Sequence, residues 1–188
     1  MSIQNLVCFA HGKESGPWGI KITHLAEVAR RHGYDVMSPD YSHTHDPRAR
    51  VQHLLSLAPH AENLVLAGSS MGGYVSAMAC AALQPRALFL MAPALYFPGW
   101  DEEAQSIPAL SCVVHGWRDE IVPVERGIRF AQHNHSDLHV LDSDHTLNDQ
   151  LPALEPLGSD PRKRAAAQAS IVSGREPATN SGGIRLSL

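Results

Sequence analysis

Short apolar runs alternate with segments of helical periodicity along most of the chain, and this alternation constrains the fold more than any other feature. Each run is four or five residues long, the length of a strand that is buried on both faces. A helix between two such strands makes them parallel, because the chain must cross back over the sheet. The order predicts an α/β protein with a six-stranded, mostly parallel sheet and helices on both faces. The predicted strands cover residues 6–10, 35–38, 63–67, 87–91, 111–115 and 138–141.

Local start and stop signals support the helices between these strands. Asp46 and Pro47 form an N-cap followed by a first-turn proline, and Gly33 stops the first helix before the second strand. The connection over residues 93–109 is the exception, since it is rich in aromatic and helix-breaking residues. Ligands bind outside the carboxyl ends of parallel strands, and this segment leaves from that edge. We expect it either to line a pocket or to pack on the rim of the domain.

The size and charge of the chain exclude several classes of protein. A chain of 188 residues suits one domain with its own core, and a net charge of −4 with neutral histidines does not attract nucleic acid. No apolar run approaches the ~20 residues that span a bilayer, and the first residues lack the pattern of a signal peptide. We therefore expect a cytoplasmic protein with no membrane insertion and no nucleic-acid partner.

The spacing of cysteines and histidines favours neither disulfides nor a metal centre. Cys8 and Cys112 lie in predicted strands and Cys80 in a predicted helix, so buried, reduced thiols are expected. His43 and His45 are close in sequence, but a complete set of metal ligands is not evident around them. We expect neither a metal nor a cofactor.

The composition changes near the end of the chain. A short basic cluster there leads into a stretch rich in Ala, Ser, Gly and Thr without sustained periodicity. The leucines before it are interrupted by Pro152 and Pro156, so the last helix is expected to be short or irregular. We predict a domain over residues 1–157 and a flexible tail over residues 158–188.

The motif Gly68-Ser69-Ser70-Met71-Gly72 directly follows a predicted strand and precedes a helical run. A Gly-x-Ser-x-Gly sequence in this setting is typical of a nucleophile elbow, a sharp turn that exposes the serine hydroxyl at the edge of the sheet. The two glycines suit a turn in which neighbouring backbone approaches closely. Ser70 is therefore the predicted nucleophile, whereas Ser69 lacks the flanking glycine spacing.

A serine hydroxyl is a weak nucleophile that needs a base, and the base needs an acid to fix its tautomer. His145 follows the last predicted strand and Asp119 follows the fifth, so both side chains should converge on the edge where Ser70 lies. They are the predicted base and acid. Three further carboxylates are alternatives for the acid, namely Asp142, Asp144 and Glu120.

Attack on an ester or a related acyl bond creates an oxyanion that requires hydrogen-bond donors. The backbone N–H of Met71, directly after the predicted nucleophile and at a helix start, is one candidate donor. The second donor is expected in the loop after the first strand, where Gly12 permits close backbone approach. The N–H of Lys13 is the candidate there, and Glu14 is the alternative.

Four motifs, taken together and in this order, resemble those of the small YqiA-like α/β-hydrolases. They are His11-Gly12 after the first strand, the elbow around Ser70, the segment His115-Gly116-x-x-Asp119-x-x-Val122-Pro123, and the terminal His145. The resemblance covers about residues 5–157. It implies a single-domain α/β-hydrolase fold with strand order 2-1-3-4-5-6 and a minimal cap.

The resemblance also implies a function. It indicates an esterase for short acyl esters, with Ser70, Asp119 and His145 as the catalytic triad and a small-molecule ester or acyl compound as the binding partner. Thioesterase, amidase or acyltransferase activity would use the same groups. A binding protein that keeps the fold without turnover is the alternative from a different class.

Overall fold

All six predicted strands are present and form one sheet. The computed structural model describes residues 3–158, and the strands are β1 (Asn5–Ala10), β2 (Asp35–Met37), β3 (Asn63–Ser69), β4 (Ala87–Met91), β5 (Leu110–Gly116) and β6 (Asp137–Leu141). Their order across the sheet is β2-β1-β3-β4-β5-β6, and every neighbouring pair is parallel. The predicted fold class and strand order are confirmed, and the sheet is parallel throughout.

The helices are α1 (Ile20–Arg31), α2 (Pro47–Leu57), α3 (Met71–Leu83), α4 (Val124–Asn134) and α5 (Leu151–Gly158). Asp46 caps α2 by accepting a hydrogen bond from the Arg48 N–H at 3.0 Å. Ala58 and Gln84 end α2 and α3 in the left-handed conformation that turns the chain towards the next strand. Within residues 3–158, no helix is both long enough and apolar enough to cross a membrane.

Two apolar layers cover the two faces of the sheet. Successive side chains of a strand point to opposite faces, so Leu6 and Cys8 of β1 enter one layer while Val7 and Phe9 enter the other. Helices α2, α3 and α4 cover the first layer, and α1 and α5 cover the second. The three cysteines are buried and are not joined by disulfides. The two layers hold the strand ends in a rigid edge.

The described part of the chain ends in a short helix, as its prolines predict. A single 3-10 turn (Asn148–Gln150) leads into α5, which is eight residues long and has Pro152 in its first turn. Leu154 of α5 is fully buried against the layer that α1 covers. The predicted tail, residues 158–188, lies outside the described residues except for Gly158.

Leu154→Ala should lower the free energy of unfolding by about 2–4 kcal/mol, because it removes a fully buried side chain that anchors α5. Urea denaturation followed by circular dichroism measures the loss. Leu57→Ala is the matched control, since Leu57 of α2 is 44% exposed, and it should cost less than about 1 kcal/mol. Equal losses in the two variants would contradict the packing of α5.

Candidate functional site

Ser70 lies on the sharp turn between β3 and α3. Its φ of 55° and ψ of −121° belong to a region that residues other than glycine rarely adopt. Its N–H donates to the Met91 carbonyl at 3.0 Å, and its carbonyl accepts from the N–H groups of Gly73 at 2.8 Å and Ala94 at 2.9 Å. The end of β4 and the start of α3 therefore hold the strained turn at the carboxyl edge of the sheet.

Close backbone packing accounts for the two glycines of the motif. A Cβ atom at Gly72 would lie 1.9 Å from the Ala10 carbonyl oxygen, and one at Gly68 would lie 2.2 Å from the Gly72 carbonyl oxygen. Such distances are far below van der Waals contact, so any larger residue would push α3 away from β1. The glycine spacing therefore reflects the close approach that the sequence predicts.

Two hydrogen bonds join Ser70, His145 and Asp119 in a row. His145 Nε2 lies 3.0 Å from Ser70 Oγ, and His145 Nδ1 lies 2.7 Å from Asp119 Oδ2. An ionised carboxylate only accepts hydrogen bonds, so Nδ1 carries the ring proton and Nε2 is left to accept from the serine hydroxyl. The structure thus brings together the three side chains that the sequence predicts as nucleophile, base and acid.

The Asp119 side chain is completely buried and accepts three hydrogen bonds. Its Oδ1 accepts from the N–H groups of Ile121 at 2.9 Å and Val122 at 2.8 Å, and its Oδ2 accepts from His145 and lies 3.1 Å from Nε2 of His115. Burial lowers the pKa of His115, which keeps this imidazole neutral, and its Nε2–H donates to the Val122 carbonyl at 2.9 Å. These donors offset the cost of burying the Asp119 charge.

The sequence leaves three other carboxylates as alternatives for the acid: Asp142, Asp144 and Glu120. The first binds Arg118, with 2.7 Å between Oδ1 and Nε, and the second accepts from the N–H of Thr146 at 2.8 Å. The third is exposed. Among the carboxylates of residues 3–158, only Asp119 hydrogen-bonds to His145. The geometry therefore favours Asp119.

Backbone contacts hold the loops of Asp119 and His145 against each other. The N–H of Arg118 donates to the Ser143 carbonyl at 2.9 Å. A Cβ atom at Gly116 would lie 2.3 Å from the same carbonyl oxygen, so this position accepts only glycine without a shift of the backbone. The distance between Asp119 and His145 is therefore set by main-chain packing between the ends of β5 and β6.

The two predicted oxyanion donors lie beside Ser70. Met71 begins α3 and Lys13 follows β1, and both line the same cavity as Ser70. Within residues 3–158, neither backbone N–H has a hydrogen-bond partner, whereas the N–H of Gly12 already donates to a side-chain hydroxyl. Glu14 also lines the cavity, so it stays the alternative to Lys13.

Arg50 is a buried residue of this site that the sequence prediction missed. It is fully buried on α2, where its Nη1 donates to the carbonyls of Gly12 at 3.1 Å and His11 at 3.4 Å, and its Nε donates to the Thr44 carbonyl at 2.8 Å. The guanidinium therefore fixes the loop that carries Lys13. The signal in the sequence is an arginine on the apolar face of an otherwise amphipathic helix.

Ser70 and His145 lie on the wall of a cavity of about 810 Å³. The 93–109 segment contributes Phe97 and Trp100 to this wall, and their rings stack with centroids 5.1 Å apart. The segment therefore lines a pocket, which is one of the two outcomes that its position predicts. Most of the remaining wall is formed by the loop after β1 and the start of α1.

The 93–109 segment is tied to the helices beneath it. Arg126 of α4 donates to the Leu95 carbonyl at 2.8 Å, and its guanidinium lies 3.9 Å from the centre of the Phe97 ring. Tyr74 of α3 donates its hydroxyl proton to Glu102 at 3.1 Å. The aromatic wall is therefore held by charged and polar contacts from two helices.

The histidines before α2 have contacts of their own. The His43 ring packs edge-on against His53, with centroids 5.0 Å apart, and Asp46 serves as the helix cap. In the part of the chain that the structure describes, no group of three or more His, Cys, Asp or Glu side chains could hold a metal ion.

The structure has an open parallel sheet, a serine on a strand–turn–helix elbow, and a histidine and an acid on later loops. This arrangement defines the α/β-hydrolase class of architecture. A family model described as the alpha/beta hydrolase family matches residues 9–182. The chain belongs to this family. None of the curated protein sequences compared matches it. The family is thus established, and the YqiA-like subgroup remains a prediction.

Solved structures support the same conclusion. A protein from Xanthomonas campestris pv. campestris, assigned to the hydrolases of the alpha/beta superfamily, is 32% identical with a TM-score of 0.76, covering 88% of this chain and 99% of that one. Est1E from Butyrivibrio proteoclasticus is similar in fold at 16% identity, with a TM-score of 0.69 and coverage of 89% of each chain. A lidless a/b serine hydrolase from Xanthomonas campestris is 24% identical with a TM-score of 0.59. The match covers 96% of this chain and 86% of that one.

Gly116→Ala should lower the free energy of unfolding by about 1–3 kcal/mol or more, because the new methyl group would collide with the Ser143 carbonyl. Thermal and urea denaturation measure the loss. Gly16→Ala is the matched control, since a Cβ atom at Gly16 has no atom within 4 Å. Comparable stability of the two variants would contradict the close approach of the two loops.

Proposed function

We propose that this protein is a serine hydrolase that cleaves carboxylic esters of short acyl groups through an acyl-enzyme on Ser70. The observation that carries the proposal is the hydrogen-bonded row of Ser70, His145 and Asp119 on the wall of the cavity. This is the arrangement that activates a serine hydroxyl in unrelated hydrolases. Membership of the alpha/beta hydrolase family agrees with it.

The first chemical step is attack on the ester carbonyl. His145 Nε2 removes the Ser70 hydroxyl proton as Oγ forms a bond to the carbonyl carbon. The imidazole becomes a cation, and Asp119 stabilises that cation through the proton on Nδ1. The carbonyl oxygen becomes an oxyanion, which accepts hydrogen bonds from the N–H groups of Met71 and Lys13, two residues that line the cavity.

After the attack, the alcohol is released and the acyl-enzyme is hydrolysed. The tetrahedral intermediate expels the alcohol as the carbon–oxygen bond breaks, and His145 gives its proton to the leaving oxygen. A water molecule, deprotonated by His145, then attacks the acyl group on Ser70. The bond between the acyl carbon and Ser70 Oγ breaks, and His145 gives the proton taken from water to Oγ. The carboxylic acid is released and the serine hydroxyl is restored.

A fluorophosphonate probe tests the assignment of Ser70. The wild-type protein should be labelled at Ser70, because the probe reacts with serine hydroxyls that a neighbouring base activates. Ser70→Ala should abolish labelling, measured by gel fluorescence and by mass spectrometry of the intact protein. Ser69→Ala is the matched control and should retain it. Equal labelling of wild type and Ser70→Ala would overturn the proposal.

Asp119→Asn should lower kcat for 4-nitrophenyl acetate by about 10³–10⁴-fold, because an amide at this position cannot hold His145 in the required tautomer. His145→Ala should have an effect of at least that size, since it removes the base. Asp142→Asn is the matched control for the charge change, and its kcat should stay within about threefold of wild type. A large loss of kcat in Asp142→Asn together with a small loss in Asp119→Asn would show that Asp142 is the acid.

Arg50→Met should lower kcat by about tenfold with little change in KM, because the loop that carries the Lys13 N–H loses the donors to its carbonyls. Arg86→Met is the control, since Arg86 is exposed at the opposite edge of the sheet. Melting temperature is measured in parallel. A lower melting temperature with kcat unchanged for the folded protein would assign Arg50 a structural role alone.

A further inference from the structure

Lys21 is a charged side chain inside the cavity that the proposed mechanism does not use. It lies in the first turn of α1, and it lines the same cavity as Ser70. The side chain is partly buried, which distinguishes it from a lysine on an ordinary surface helix. Burial of an ammonium group is costly unless something compensates its charge.

The other charged groups on the cavity wall are already paired. Lys13 lies 3.7 Å from Glu14, and both side chains are at least half exposed at the mouth. Within residues 3–158, the Lys21 ammonium forms neither a hydrogen bond nor an ion pair. The wall that Lys21 shares with Ser70 therefore carries one cation without a bound partner.

The carboxylates nearest to Lys21 do not require it. Asp119 accepts three hydrogen bonds from other residues, and Asp144 accepts from the backbone N–H of Thr146 at 2.8 Å and from its hydroxyl at 2.6 Å. Burial lowers the pKa of Lys21 to about 8, and the charges of Asp119 and Asp144 oppose that fall. A pKa above 7 leaves the ammonium cation as the main form of Lys21 at pH 7.

We propose that Lys21 binds a carboxylate of the substrate, so that the enzyme acts on esters that carry a carboxylate as well as the scissile bond. This inference rests on the proposed function of Ser70. A single ammonium group suits a singly charged carboxylate better than a phosphate dianion, which proteins usually bind with several donors. The apolar side chains of Ile22, Phe97 and Trp100 on the same wall suit the carbon chain between the two groups.

Two pairs of esters test the proposal and distinguish the position of the carboxylate. In the acyl group, mono-4-nitrophenyl adipate is compared with 4-nitrophenyl hexanoate, which has the same chain length. In the leaving group, 4-acetoxybenzoate is compared with methyl 4-acetoxybenzoate. For each pair the ratio of kcat/KM, charged over neutral, is measured for wild type and Lys21→Gln at pH 7.

The ratio for at least one pair should fall about tenfold in Lys21→Gln, and Lys21→Arg should retain most of it because it keeps the charge. Arg86→Gln is the matched control, and its ratio should equal that of wild type. An equal loss for charged and neutral esters would overturn the proposal, since Lys21 would then act on the triad through Asp119. An unchanged ratio for both pairs would overturn it as well.

Binding separates this inference from the proposed hydrolysis. Isothermal titration of Ser70→Ala with 4-acetoxybenzoate should give an affinity about tenfold higher than titration of Ser70→Ala/Lys21→Gln. The methyl ester should bind the two proteins equally. This result, or the same difference with mono-4-nitrophenyl adipate, supports the carboxylate site even where wild type hydrolyses none of the esters. Equal binding of both charged esters by the two proteins overturns it.

Discussion

The parallel pairing of all six strands is the constraint on which the rest of the structure depends. Because every strand runs in the same direction, the carboxyl ends of β1, β3, β5 and β6 meet at one edge. Ser70 follows β3, Asp119 follows β5 and His145 follows β6, so segments far apart in the chain come within hydrogen-bond distance. The helices on both faces bury the strands and keep that edge in register.

The parts of the site that could be predicted from the sequence depend on local pattern and on order along the chain. The elbow can be predicted because close backbone packing requires both of its glycines, Gly68 against the start of α3 and Gly72 against β1. The spacing of these glycines then identifies Ser70. The acid is harder to choose, because Asp119 and Asp142 both follow neighbouring strands. The choice between them depends on backbone geometry, namely the turn at Gly116 and the N–H groups of Ile121 and Val122 that bind Asp119. Side-chain identity does not reveal this geometry.

Two cations near the site, the buried Arg50 and the partly buried Lys21, were beyond sequence-based prediction for a physical reason. Arg50 is held by the carbonyls of His11 and Gly12, which lie 39 and 38 residues away in the chain, and every residue type presents such a carbonyl. Lys21 is distinguished by the absence of a bound partner within residues 3–158, and this is visible only once the neighbouring side chains are placed. The two cations also differ from each other: Arg50 donates to three backbone carbonyls, whereas Lys21 lines the cavity and has neither a hydrogen bond nor an ion pair within residues 3–158.

The attachment of the 93–109 segment bears on how a ligand is selected. Phe97 and Trp100 are stacked on each other, and Arg126 and Tyr74 bind the segment to α4 and α3. The shape of this wall is thus determined when the chain folds, before any ligand arrives. A ligand that fits it loses little binding free energy to reorganisation of the protein, whereas a bulkier one must break contacts with two helices. Discrimination by size is therefore a property of the resting structure.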